Sequence, residues 1–305
     1  MASPSERPRA LLTGRNGFTG HYVAAALEAA GYEVLGLVHE NDPAGATCLR
    51  ANLLNPSAVQ QAVDEARAEV VIHLAAIAFV AHGDVEEIYR TNIVGSRNLL
   101  HALAATARPP RHVILASSAN IYGNATRDPI DEDTPLAPVN DYAVSKLAME
   151  YMARTWMPRL PITLVRPFNY TGVGQSPNFL IPKIVSHYQR GERVIELGNT
   201  HVARDFSDVR DVARAYAALA GTTANGEAVN LCSGTAHTLA DILALLAEIA
   251  GYRIEVRVNP AFVRANEVAR LTGSNARLHD LTGSAPHIPL AETLQWMYRT
   301  SAPGS

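Results

Sequence analysis

Tyr142 and Lys146 stand four residues apart in Asp141-Tyr142-Ala143-Val144-Ser145-Lys146. On a helix that spacing puts both on one face. A free phenol has a pKa of about 10 and exchanges protons poorly at neutral pH. A nearby ammonium stabilises the phenolate, so Lys146 is expected to lower the Tyr142 pKa and fit it for proton exchange with a carbonyl or sugar hydroxyl. Taken alone, the spacing also fits a pair on an exposed helix. A third group lies 24 residues upstream, where Ser118 follows the strand-like run 112–116. A hydroxyl at the C-terminal end of a strand can hydrogen-bond the reacting oxygen, and parallel sheets bind ligands at those ends.

A second constellation is Thr13-Gly14-Arg15-Asn16-Gly17-Phe18-Thr19-Gly20. It follows an apolar run and precedes a segment with apolar residues at helical spacing. Glycine permits the tight turn and close approach of a pyrophosphate. The helix start then offers unpaired N–H groups and the positive end of its dipole. Gly14, Arg15, Gly17, Phe18, Thr19 and Gly20 are therefore candidate coenzyme contacts; the alternative is a glycine turn needed for packing. An acid ending the second strand favours NAD(H), and a base there favours NADP(H). This strand ends Val38-His39-Glu40. His39, with Arg15 in the loop, tips the reading to NADP(H) while leaving NAD(H) open. Asn52 and Leu53 follow at a distance suited to adenine contact.

The elements that must position these groups alternate. Strands are expected at 9–13, 33–38, 70–74, 112–116 and 162–165, and helices at 21–30, 57–66, 85–103 and 141–156. Strand–helix alternation marks a parallel sheet, and aliphatic runs without alternation suit strands covered on both faces. Beyond Pro167 the order loosens. A helix is expected at 208–220, a strand at 228–231, an amphipathic helix at 238–250 and a strand at 254–258, with loops and short helices after them.

Length and composition bound the rest. The chain has 305 residues, 48% hydrophobic, with 26 Lys+Arg against 29 Asp+Glu. That fits one large or two small domains with a sizeable core. A net charge of −3 supplies no basic field for nucleic acid. The stretch 70–81 is too short for a membrane span, which needs about 20 residues. No secretory leader is expected at the N-terminus. Cys48 and Cys232 have no metal-ligand spacing and read as reduced core thiols of a cytoplasmic protein. The 11 histidines include no HExxH, so no metal site is expected, and His73 and His112 read as satisfied strand residues.

Together the glycine turn, His73-Leu74-Ala75-Ala76, Asn92-Ile93-Val94-Gly95, Ser118, Tyr142 to Lys146 and Arg166-Pro167-Phe168-Asn169 resemble the extended short-chain dehydrogenase/reductases. These are NAD(P)-dependent epimerases, dehydratases and reductases of nucleotide sugars. The resemblance spans nearly the whole chain. It implies an α/β, Rossmann-type doubly wound parallel sheet in residues 1–172, with 207–235 returning to it. Residues 173–206 and 236–305 would form a smaller nucleotide-sugar-binding region. Leu74, Ala75, Ala76, Pro167 and Asn169 would join the coenzyme contacts, and Lys146 would also hold the nicotinamide ribose. The segments 197–206 and 264–273 are similar to those of GDP-mannose-type members, a branch that includes 4-keto-6-deoxymannose reductases. By that likeness Asn169 and Arg204 would meet diphosphate or hexose, and Arg264 and Glu267 the nucleoside ribose. Ser118 and Asn120 would line the sugar, while Asn178 and Lys183 are candidates for base recognition. The family also implies a homodimer through helices of the 85–103 and 141–156 type.

The reaction is narrowed by what is missing beside Ser118. Dehydratases of this family carry an acid directly after the catalytic hydroxyl residue; here stand Ala119 and Asn120, which cannot serve as general acids. Epimerase/reductases with a cysteine near the serine are disfavoured, because Cys48 and Cys232 lie elsewhere in sequence. What remains is reduction of the 4-keto group of a nucleoside-diphosphate 4-keto-6-deoxyhexose. The GDP-linked form is favoured and a dTDP-linked form or a 4-epimerase is the alternative. A non-catalytic dinucleotide sensor would not need Ser118, Tyr142 and Lys146.

Overall fold

The computed structural model describes residues 7–43, 45–78, 84–200, 202–263 and 270–300. Its first half alternates as the sequence pattern predicts. β1 (Arg9–Thr13), α1 (Phe18–Ala29), β2 (Glu33–Val38), β3 (Cys48–Arg50), α2 (Pro56–Ala66) and β4 (Val70–His73) come first. α3 (Val85–Tyr89), a π-helical turn (Arg90–Gly95), α4 (Ser96–Ala105), β5 (His112–Ala116), a 3-10 turn (Ala119–Tyr122), α5 (Asp141–Arg154) and β6 (Ile162–Pro167) follow. The helix expected over 85–103 is thus two helices joined by a π turn. β3 went unseen because its three residues are too few to show a pattern.

The rest alternates less regularly. It comprises β7 (Asn169–Thr171), α6 (Leu180–Gln189), β8 (Val194–Leu197), β9 (Ala203–Asp208), α7 (Val209–Ala220) and β10 (Ala228–Leu231). β11 (Ala236–Thr238), α8 (Leu239–Ala250), β12 (Glu255–Val258), β13 (Arg270–Leu271), α9 (Ala276–Thr282) and α10 (Leu290–Arg299) complete the described elements.

Seven parallel strands form the main sheet in the order β10-β6-β5-β4-β1-β2-β3, a doubly wound Rossmann-type α/β arrangement. The strand runs separate by face. Ala10, Leu12, Val70, Ile72, Ile114 and Val165 pack with α1 and α7, while Leu11, Val71, Val113, Leu115, Ile162 and Leu164 pack with α2, α4 and α5. These positions are thereby all buried, which is why the central strands lack polar alternation. The chain reverses direction in the sheet between β1 and β4, and the crevice at that switch opens at the strand ends carrying the glycine turn and Ser118.

A second layer is built from short strands. β7, β11 and β13 all pair with β9, and β12 pairs with β8. α6, α8 and α10 cover them around Ile184, Tyr188, Leu246 and Leu294. α9, which the sequence division groups with this region, instead packs Leu278 and Leu281 into the core of the main sheet beside Tyr216. Cys232 is buried, but Cys48 sits half-exposed on edge strand β3 and is not a core thiol.

Candidate active site

The glycine turn has the geometry its residues require. Gly14 sits at φ +71°, and a Cβ there would lie 2.9 Å from the Ala75 nitrogen. A Cβ on Gly20 would lie 2.1 Å from the Gly14 carbonyl oxygen, so the first turn of α1 folds directly onto the loop. α2, α5, α7 and α8 each begin with a side-chain cap, from Asn55, Asn140, Asp208 and Thr238. α1 begins at Gly17 with none, and no acid occupies its first turn. Its leading N–H groups lack a side-chain partner, a feature shared with α6 but here joined to the glycine turn, and suit an anion such as a pyrophosphate. Thr13 closes the opposite wall. Its hydroxyl bonds His73 Nδ1 at 2.7 Å and accepts from Ala75 N at 3.1 Å, placing Leu74, Ala75 and Ala76 against the turn.

Other expected coenzyme contacts divide. Thr19 Oγ1 bonds the Tyr170 hydroxyl at 2.9 Å, and the Phe18 ring stacks on Tyr170 with centroids 6.2 Å apart. Pro167 ends β6 and Asn169 begins β7 beside them. Arg15 lays its stem across Gly36, where a Cβ would meet Arg15 Cδ at 2.4 Å, and its Nη2 lies 3.9 Å from Glu28. His39 is exposed and accepts from Asn41 N at 3.3 Å. Asn52 spends its side-chain oxygen on Leu54 N, and Leu53 packs towards Gly95.

Ser118 and Tyr142 meet from different elements. Ser118 leaves the end of β5 and its oxygen caps the 3-10 turn through Asn120 N at 3.2 Å. Tyr142 lies in the first turn of α5, whose start Asn140 fixes by accepting from Ala143 N. Ser118 is the side chain that draws the phenol's pKa downward. Lys146, one turn on, is buried and donates to the Ala116 carbonyl at 2.6 Å. Ser118, Tyr142 and Lys146 therefore converge at the strand ends.

The electrostatics depart from expectation. Burial pushes Tyr142 up to about 12, against the lowering by Ser118. The anticipated drop does not occur because desolvation of the phenol dominates. At neutral pH Tyr142 is a protonated phenol, able to donate. Burial lowers Lys146 to about 8, with Glu150 opposing. His73 is held neutral by burial, at about 3, between Thr13 and Ser96. His73 is thus a satisfied strand residue, as expected; His112 bonds Thr163 through Nε2 at 2.8 Å, but its buried Nδ1 has no hydrogen-bond partner, so it is only half satisfied.

Residues 10–232 match the model of the NAD dependent epimerase/dehydratase family. The chain belongs to that family. It is 32% identical to GDP-6-deoxy-D-talose 4-dehydrogenase of Aggregatibacter actinomycetemcomitans, over 90% of this chain and 91% of that one. It is 34% identical to GDP-6-deoxy-D-mannose reductase of Pseudomonas aeruginosa, over 94% and 95%. A crystal structure of a Burkholderia cenocepacia protein, assigned there as a candidate epimerase, superposes with a TM-score of 0.91 at 51% identity, covering 97% of this chain and 98% of that one. An epimerase/dehydratase family member uses a nicotinamide dinucleotide, the coenzyme class inferred from the glycine turn.

In this family member the substrate-side expectations are only partly assembled. Asn169 offers a buried Nδ2 with no hydrogen-bond partner. Arg204 on β9 donates to the Ala203 carbonyl at 2.9 Å. Asn120 and Asn178 are exposed. Lys183 donates to the Glu196 carbonyl at 2.9 Å and lies over the Phe262 ring, 4.6 Å from its centroid. Arg264 and Glu267 lie outside the described residues.

The sequence reading missed several supporting residues. Asn92 accepts from Ile77 N at 2.9 Å and donates to Ser145 Oγ at 3.0 Å, tying the loop after β4 to the helix of Tyr142 and Lys146. Asp205, fully buried, accepts from Ser233 N and Oγ, Gly234 N and Gly273 N, so one carboxylate fastens three segments beside Arg204. Asn92 stood within a quoted motif without a role. Asp205 carried no local signal, because its donors lie 28 to 68 residues away.

Proposed function

We propose that the chain is an NAD(P)H-dependent reductase of the 4-keto group of a nucleoside-diphosphate 4-keto-6-deoxyhexose. The GDP-4-keto-6-deoxymannose type is favoured, giving a GDP-rhamnose or GDP-6-deoxy-talose product. The observation that carries this is the Tyr142 phenol, kept protonated by burial, one helical turn from a Lys146 seated on the strand end that leads to Ser118, with Ala119 and Asn120 where a dehydratase needs an acid. By their names, one relative is a 4-dehydrogenase of GDP-6-deoxy-D-talose and the other a GDP-6-deoxy-D-mannose reductase, which supports a redox reaction on a GDP-linked 6-deoxyhexose.

Gly14, Gly17, Gly20, Arg15, Phe18 and Thr19 would hold the coenzyme diphosphate at the uncapped start of α1. His39, Asn52 and Leu53 would face its adenosine end, and Leu74, Ala75, Ala76, Pro167 and Lys146 its nicotinamide end. When bound, the coenzyme supplies a hydride to C4. Tyr142 gives its proton to the carbonyl oxygen, so that the ketone becomes an alcohol. Ser118 hydrogen-bonds that oxygen, and the Lys146 ammonium offsets the charge left on the phenolate. Asn120, Asn169, Asn178, Lys183, Arg204, Arg264 and Glu267 form the substrate set, with Asn169 Nδ2 the donor free to receive it. Residues 1–172 and 207–235 form the coenzyme part, and 173–206 with 236–305 the sugar-nucleotide part, apart from α9.

Incubation with NADPH or NADH and candidate 4-keto sugars tests the reading. Loss of the reduced-nicotinamide band in proportion to sugar reduced supports it. Isomerisation of a nucleotide sugar without added coenzyme establishes the 4-epimerase reading, which the Burkholderia likeness favours. Turnover of dTDP-linked but not GDP-linked substrate moves the base assignment. The protein is assigned to the cytoplasm, and no described helix is long and apolar enough to cross a membrane. A homodimer through α3, α4 and α5 is supported by exposed Val85, Val94, Val144 and Tyr151.

A further inference from the structure

Lys146 and the ion pair beneath it share two strands. Glu150, one turn beyond Lys146 on α5, is 1% exposed and receives Arg166 in a bidentate grip, Nε to Oε1 at 2.9 Å and Nη2 to Oε2 at 2.8 Å. Arg166 is itself 2% exposed and donates to the Tyr122 hydroxyl at 2.9 Å and the Glu132 carbonyl at 3.1 Å. Arg166 directly follows Val165, which lies opposite Ala116 in the β5–β6 register. The paired strands thus present two consecutive anchors to α5: the Ala116 carbonyl to Lys146, and the Arg166 fork to Glu150. A buried ion pair adds little stability over apolar residues of the same volume, so its placement points to another role.

We propose that Glu150, clamped by Arg166, is a positioning residue that keeps the Lys146 ammonium charged and seated on the Ala116 carbonyl beneath Tyr142. This rests on reading Tyr142 and Lys146 as the reacting pair. The groups facing Lys146 are few. Tyr142 and Glu150 lie on its own helix, and β5 offers only the Ala116 carbonyl. β4 brings His73, held neutral, and β6 brings Arg166 through Glu150. Burial already lowers Lys146 to about 8, and Glu150 is the charge that opposes it. Without that carboxylate the lysine titrates nearer neutrality.

The test is competitive acetylation of Lys146 in the folded protein across neutral to alkaline pH, read by peptide mass spectrometry. Glu150→Gln is expected to move the Lys146 midpoint down by at least about half a pH unit, roughly threefold more neutral amine near pH 7. Arg166 left unpaired could unfold that variant. Glu150→Gln/Arg166→Gln replaces the ion pair by matched amides and is expected to move the midpoint the same way. Arg166→Lys, which keeps the carboxylate paired, should restore the wild-type midpoint. An unmoved midpoint in whichever Glu150 variant folds overturns the proposal. Labelling needs neither coenzyme nor sugar, so a failed reductase assay with a shifted midpoint would sink the reaction assignment alone.

Discussion

Around Tyr142 three networks tie most of the buried polar groups, Ser117 Oγ excepted. Thr13, His73 and Ser96 form one chain of hydrogen bonds, Asn92 and Ser145 another, and Glu150 and Arg166 a third, all buried. The sugar-nucleotide side is assembled differently. Its β9 sheet is made of strands two to six residues long, fastened by the single carboxylate of Asp205. Buried polar atoms without a hydrogen-bond partner occur on both sides: Asn169 Nδ2, Ser207 Oγ and Thr272 Oγ1 at this sheet, and Arg15 Nε, His112 Nδ1 and Ser117 Oγ at the main sheet. Unsatisfied buried groups are costly, and neither side is free of them, so the two differ in how they are fastened. The surroundings of Tyr142 are held by several separate networks, whereas the β9 sheet hangs on one carboxylate.

The sharpest way to break this contrast is Tyr142→Phe. Removing the proton donor should cut turnover by about 10²–10⁴-fold with coenzyme affinity within about twofold of wild type, measured by steady-state kinetics and fluorescence titration. A small loss would mean that the tied network does not serve proton transfer. Gly20→Ala is expected next in size. Its Cβ would strike the Gly14 carbonyl, so coenzyme affinity should fall at least about tenfold and stability by about 1–3 kcal/mol.

Acid should expose the catalytic side through His73. Its folded pKa of about 3 lies below its unfolded value of about 6.5, so the unfolded chain binds the extra proton between them. Stability attached to His73 is full above about pH 6.5 and is lost as pH falls towards 3. Urea midpoints at pH 7 and pH 5 should differ by about 2 kcal/mol for this group, and His73→Gln should flatten the difference.

On the other side, Asp205→Asn turns an amide towards the Gly234 and Gly273 N–H donors. It should cost about 1–2 kcal/mol and raise the KM for sugar nucleotide more than that for coenzyme. The smallest effect is expected for Lys183→Ala, whose contact with Phe262 is exposed and contributes at most about 1 kcal/mol. Its value lies in discrimination between GDP- and dTDP-linked substrates, seen as a ratio of kcat/KM values.

The sheet was legible because each strand buries both faces and each crossover helix carries a periodic apolar stripe. β1, β2, β5 and β10 fall where the residue pattern puts them. Ser118, Tyr142 and Lys146 were legible because chemistry limits which residues can serve and helix geometry limits their spacing. Much less could be read where contacts are long-range. β13 is two residues, Arg270–Leu271, and exists only because β9 offers it an edge. The Tyr142 shift could not be foreseen from spacing, since the loss of water around the phenol is a property of the folded cleft.

The π turn at Arg90–Gly95 carries a consequence for how this scaffold tolerates change. An extra backbone unit there swings Asn92 inward onto Ile77 and Ser145. Trimming one residue from the turn would restore ordinary winding and rotate that side chain by roughly 100°. The loop after β4 would then lose its tether to the tyrosine helix. In laboratory evolution, single-residue deletions in this turn should therefore yield folded but silent proteins.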